Sequence, residues 1–103
     1  MLSKGELLAR RVPEADFEIE GVGSVRIRGL TRAEAIELRK VDDAAVADRR
    51  MVALGLVEPR LSEAEVKTWQ ENSGIHEIEA LTVAIGELSA QGKGATKSGV
   101  PGV

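Results

Sequence analysis

Between residues 16 and 28 apolar and polar positions alternate: Phe17 and Ile19 with Glu18 and Glu20, then Val25 and Ile27 with Arg26 and Arg28. A period of two belongs to a strand with one buried face, so the pattern predicts a β-hairpin over 16–28 with its turn in the run Gly21 to Ser24. Residues opposed across antiparallel strands point to the same side. An apolar face therefore forms if Ile19 opposes Ile27 or Val25, and both registers also bring Glu18 and Glu20 to Arg26 and Arg28. Such pairs are worth roughly 0.2–1 kcal/mol each, so they select a register more than they hold it.

After the hairpin the period lengthens to that of helices, and three capping boxes mark helix starts: Ser3 with Glu6, Thr31 with Glu34, and Ser62 with Glu65. The first box opens a short helix over 4–11, which must end before Pro13 because proline disfavours helical geometry at Val12. The second opens a helix over about 31–42 through Ile36, Leu38 and Val41. Asp42 and Asp43 then compete for backbone N–H groups, so a break is expected there. A helix over 44–57 follows, with Val46, Ala47, Met51, Ala53, Leu54 and Val57 on its apolar side and Asp48, Arg49 and Arg50 on its wet side. Pro59 stops it from outside. The third box opens a helix over 62–72 carrying Val66 and Trp69. The last helix, over 74–90, has the clearest stripe: Ile75, Ile78, Leu81, Ile85 and Leu88. Beyond Ala90 the chain is polar and glycine-rich, so residues 91–103 are expected to be a flexible tail. The expected fold class is α+β, a short N-terminal β-hairpin followed by a mostly α-helical bundle of about four helices, in one domain spanning 1–90. There is no internal repeat of fixed period.

Composition adds a constraint on the core. With 103 residues and only 2% aromatic side chains, Phe17 and Trp69, the interior must be built from Leu, Ile, Val and Ala. Such a core is thin, which favours partners. A net charge of −3 with 30% charged residues suits a soluble protein. It argues against a polyanion binder, which needs clustered Lys and Arg, so no nucleic-acid partner is expected. The lack of cysteine excludes disulfides and thiolate chemistry. Leu7, Leu8 and Ala9 run into Arg10 and Arg11, unlike a secretory leader, and no later stretch has the length of a membrane span. The expected location is the cytosol.

No catalytic constellation is present, and the chain is expected not to be an enzyme. His76 is the single histidine, in a first helical turn beside Glu77 with no nucleophile in view, so it reads as a surface residue. Asp42, Asp43 and Asp48 lack the ligand rhythm of a calcium loop, and capping explains them better. Gly21-Val22-Gly23 lacks the third glycine and the context of a phosphate loop. Arg10-Arg11 and Arg49-Arg50 read as wet helix faces. No metal, catalytic or cofactor site is expected. Trp69, on an otherwise polar helix, is either a core anchor or an exposed contact for a partner. Met51, Leu54, Leu56 and Val57 are core by default, and a partner groove if the helices leave apolar area uncovered.

The order of parts resembles the small tail assembly chaperones of long-tailed bacteriophages and related prophages. The resemblance covers about residues 6–90. It rests on the Leu7 to Arg10 lead, on Val25-Arg-Ile-Arg-Gly-Leu-Thr-Arg-Ala-Glu34, on Arg50-Met-Val-Ala-Leu-Gly-Leu-Val-Glu-Pro59, and on Leu61-Ser-Glu-Ala-Glu-Val66 with Trp69. It implies a protein of the infected or lysogenic cell that binds the long, helical tape measure protein, keeps it soluble, helps recruit tail tube subunits, and is missing from the finished virion. It also implies that a longer frameshifted product can exist. On this reading Met51, Leu54, Trp69 and Ile85 are the candidate partner-binding residues, with the 44–57 and 75–88 helix faces forming both the core and, at their margins, a client groove. A structural phage or bacterial adaptor that stays in the particle is the alternative. A small transcriptional regulator would want a basic recognition helix that this chain lacks. Self-association into a homo-oligomer is reasonable for so small a core, although no heptad run sets its stoichiometry.

Overall fold

The computed structural model describes residues 1–91, and the expected tail beyond Gln91 lies outside them. The fold is α+β. Helix α1 (Lys4–Leu8) precedes a hairpin of β1 (Glu14–Ile19) and β2 (Gly23–Arg28). Helices α2 (Arg32–Arg39) and α3 (Ala44–Gly55), a short strand β3 (Leu56–Glu58), and helices α4 (Glu63–Asn72) and α5 (Ile75–Gln91) complete it. The sheet has the order β1-β2-β3, antiparallel throughout. Helix α5 lies against β1, β2 and α3, while α4 packs on α3.

All three capping boxes form with both of their hydrogen bonds. Ser3, Thr31 and Ser62 accept from the N–H groups of Glu6, Glu34 and Glu65, and each glutamate accepts from the backbone N–H of its cap. The break at Asp42-Asp43 is real: α2 ends at Arg39, and Asp43 Oδ1 caps α3 by accepting from Ala45 N at 2.9 Å and Val46 N at 3.2 Å.

The hairpin keeps the expected parity in a different register. Ile19 faces Gly23, Phe17 faces Val25 and Ala15 faces Ile27, so Ile19 opposes neither Val25 nor Ile27. The turn is the cause. It closes over Glu20, Gly21 and Val22 with a Val22 N to Ile19 O bond of 2.9 Å, and it needs positive φ at Gly21 (79°) and Gly23 (148°), which glycine alone adopts at little cost. Gly23 thereby becomes a strand residue, and the charge pairs shift with it. Arg26 reaches Glu14 at 3.1 Å and Asp16 at 3.0 Å, Glu18 accepts from the Ser24 hydroxyl at 2.8 Å, and Arg28 turns away to Glu34.

The helix expected over 44–57 stops at Gly55, and the next three residues form β3, pairing Leu56 with Ile27 and Glu58 with Arg26 while Val57 bulges out between them. Pairing with β2 replaces the last helical turn, and Pro59 favours the change because it biases Glu58 toward extended geometry.

The core is aliphatic: Ile27, Leu30, Val52, Leu56, Val66, Ile78, Leu81, Ile85 and Leu88 form one buried cluster. Among the described residues no polar or charged side chain is buried. The end of β2 is stapled to α5 through Ser89, whose hydroxyl accepts from Leu30 N at 2.8 Å and donates to Ile85 O at 2.7 Å.

One ion pair ties α2 to the sheet. Arg28 makes two parallel hydrogen bonds of 2.9 Å to the Glu34 carboxylate, and their side chains are only 12% and 23% exposed. Arg28 is the main reason that the Glu34 carboxyl titrates at about 2 instead of the usual 4.5, with the Thr31 N–H adding to the effect and burial opposing it. A pKa depressed on folding contributes stability that is full above the unfolded value and is lost as pH falls through the folded one. Wild type is therefore expected to lose, between about pH 4.5 and pH 2, a contribution that Glu34→Gln lacks. At pH 7 the substitution should cost about 1.5–3 kcal/mol. Urea titrations of both proteins at pH 7 and pH 2.5 check this; a gap that does not narrow at low pH refutes it.

Candidate partner-binding surfaces

Met51, Leu54, Trp69 and Ile85 all belong to the core cluster or pack against it. Ile85 is 0% exposed and offers a partner no surface in this fold. Met51, Leu54 and Trp69 are half-buried at the edge of the core cluster. The Trp69 ring packs against the core, and its indole N–H donates to Glu77 Oε1 at 2.9 Å, linking α4 to the first turn of α5. The Arg49-Arg50 pair is also engaged with α4: Arg49 donates to Gln70 at 3.1 Å and Arg50 to Glu63 at 3.1 Å.

The uncovered apolar surface lies elsewhere. Phe17 from β1 and Ala80, Val83 and Ala84 from α5 floor a shallow groove of about 470 Å³, with Glu79 and Glu87 at its rim and exposed His76 at one end. Val83 is 56% exposed although it sits mid-helix. Around the helix from it, Ile75 is 82% exposed and shares a second shallow cleft with Val83. The stripe that α5 buries is Ile78, Leu81, Ile85 and Leu88, so Ile75 does not join it. The missed signal was in the sequence: Ala80, Val83 and Ala84 lie off the main stripe, which makes α5 apolar on more than one face.

A third cleft, of about 550 Å³, opens between the Ala9–Pro13 segment and α2. Arg10, Arg11, Arg32 and Arg39 line it above Leu30 and Ile36. Arg11 is committed to the end of α1, donating to the carbonyls of Glu6, Leu7 and Ala9, and Arg10 lies 3.9 Å from Glu34.

Among the described residues no group of three or more His, Asp or Glu side chains converges as a metal site, and no helix is long and apolar enough to cross a membrane. Comparison with protein-family models, with curated proteins and with solved structures returns no match.

Proposed function

We propose that this chain is a tail assembly chaperone of a long-tailed bacteriophage or prophage, which binds the tape measure protein, keeps it soluble and helps recruit tail tube subunits. The observation that carries the reading is the groove of Phe17, Ala80, Val83 and Ala84 between the glutamates at 79 and 87. An amphipathic helix that would aggregate through its apolar stripe can lay that stripe on this floor, and basic residues flanking the stripe meet the acidic rim. The residue runs that carry the resemblance build the scaffold behind the groove. Val25 to Glu34 forms most of β2, the junction with α5 and the start of α2, and Ala53 to Pro59 forms the turn from α3 into β3.

Coexpression of the tagged chain with the tape measure protein encoded beside it is the test. The expected result is a soluble complex with several copies of this chain per client. Val83→Lys should abolish capture with the fold intact, since Val83 is largely exposed and a lysine four residues after Glu79 suits a helix. A client that stays insoluble while this chain elutes alone as a defined ring would replace the chaperone with the structural adaptor. Full capture by the Val83→Lys variant would remove the groove from the reading.

A further inference from the structure

Helix α1 has five residues, far too few for an isolated helix to hold itself, yet both of its ends are secured. Ser3 and Glu6 close the capping box at its start, and the Arg11 guanidinium gathers the carbonyls at its end. None of its residues is buried. Leu7 is 57% and Leu8 74% exposed, and Leu2 is also bare. The chain thus presents a preformed apolar arm. It is also a basic one: residues 1–11 hold Lys4, Arg10 and Arg11 against Glu6 alone, and Glu6 is engaged in its cap.

The same molecule carries the complement of this arm. The groove on α5 and β1 has an apolar floor and the acidic rim of Glu79 and Glu87. No residue of α1 lines it, and the arm leaves the domain on the α2 side, where Arg10 to Pro13 line the arginine cleft and Pro13 O accepts from Gly29 N at 2.9 Å. We propose that the arm of one copy docks in the Phe17–Val83 groove of a second copy, Leu7 and Leu8 on the apolar floor and Lys4 and Arg10 toward the glutamates. The two surfaces differ, so the contact is head to tail. Each docked pair keeps one free arm and one free groove, and assembly continues into a ring or an open chain. The contact needs no client and stands apart from the tail-assembly reading. If both hold, a client helix and a neighbour's arm compete for one groove.

The contact is small and so belongs to the weak class. Light scattering on the full chain from roughly 10 µM to 1 mM should show a mass that rises with concentration from the 11.0 kDa monomer and falls again as salt screens the charges. Leu7→Gln/Leu8→Gln removes the arm's apolar face, and Val83→Lys blocks the groove. Each should weaken self-association about tenfold or more with unchanged circular dichroism, because these side chains are exposed in the monomer. The decisive sample mixes the two variants. One supplies a working groove and the other a working arm, so the mixture should stop at a heterodimer of twice the chain mass, at concentrations about tenfold or more below those at which either variant alone associates. A wild-type mass that never leaves the monomer, or association that survives Leu7→Gln/Leu8→Gln, overturns the proposal. Client capture by the arm variant reports on the tail-assembly reading separately.

Discussion

Ile85→Asp is expected to leave no folded protein at neutral pH. Ile85 is fully buried in a cluster with Val52, Leu56 and Leu81, and among the described residues no polar side chain is buried that could receive a carboxylate. An unpaired charge in such a site costs several kcal/mol, on the order of the 3–5 kcal/mol seen when a buried pair loses one partner. The lost isoleucine volume adds about 2–5 kcal/mol. A domain of this size has about 5–15 kcal/mol in total, and a core without buried aromatics belongs toward the lower end. Ile85→Val, which removes one methyl group, should cost about 0.5–1.5 kcal/mol and keep a cooperative transition. Leu54→Asp should be the milder acidic substitution, since Leu54 is half-buried and its carboxylate can reach water. Circular dichroism and urea titration of the three variants test this. A cooperative Ile85→Asp transition within about 2 kcal/mol of wild type would mean that the interior is not the dry cluster described.

What the sequence made legible was local. Each capping box is a pair of residues three apart, so Ser3, Thr31 and Ser62 could be read without knowing what lay beyond the first turn, and the Asp43 cap likewise. Hairpin parity was legible because a one-residue slip would turn Phe17 and Ile27 to opposite faces. The register was not, because it depends on how many residues the turn takes up, and the run from Gly21 to Ser24 allows more than one length. Strand β3 was hidden by its length: Leu56 and Val57 suit the end of a helix as well as a three-residue strand, and only pairing with Ile27 decides between them. The groove was hidden for a longer-range reason. Phe17 and Val83 come from opposite ends of the chain and meet only because α5 lies along β1. Met51, Leu54, Trp69 and Ile85 lie on faces that the fold uses to bind itself together.

Two glycines whose role was equally unreadable set up the last prediction, in which the same substitution should behave differently at each. A Cβ on Gly29 would stand 2.9 Å from Ser89 N and 3.0 Å from the carbonyl carbon and oxygen of Leu88, all backbone atoms of α5. Nothing there can rotate away. Gly29→Ala must separate the end of β2 from α5, straining the bond from Leu30 N to Ser89 and the packing of Leu30 on Leu88. Overpacking of about 1–3 kcal/mol and a weakened hydrogen bond of about 1 kcal/mol give an expected loss of roughly 2–4 kcal/mol. At Gly55 the new Cβ would run into Ile85 Cδ1 and lie 2.8 Å from its Cγ1, so the obstacle is a side chain. Gly55→Ala should also destabilise, by about 1–3 kcal/mol less up to about 1 kcal/mol regained from helix propensity. Here the obstacle can be trimmed, because Ile85→Val deletes Cδ1. The Gly55→Ala/Ile85→Val double variant should therefore be more stable than the sum of its parts by about 0.5 kcal/mol or more, whereas Gly29→Ala combined with Ile85→Val should be closer to additive. Urea titrations of these single and double variants measure both couplings. Equal couplings at the two sites would show that the close approach of β2 to α5 is not set by backbone against backbone, and the Gly29 junction would lose its place as the point where the sheet is fixed to the helix that carries the groove.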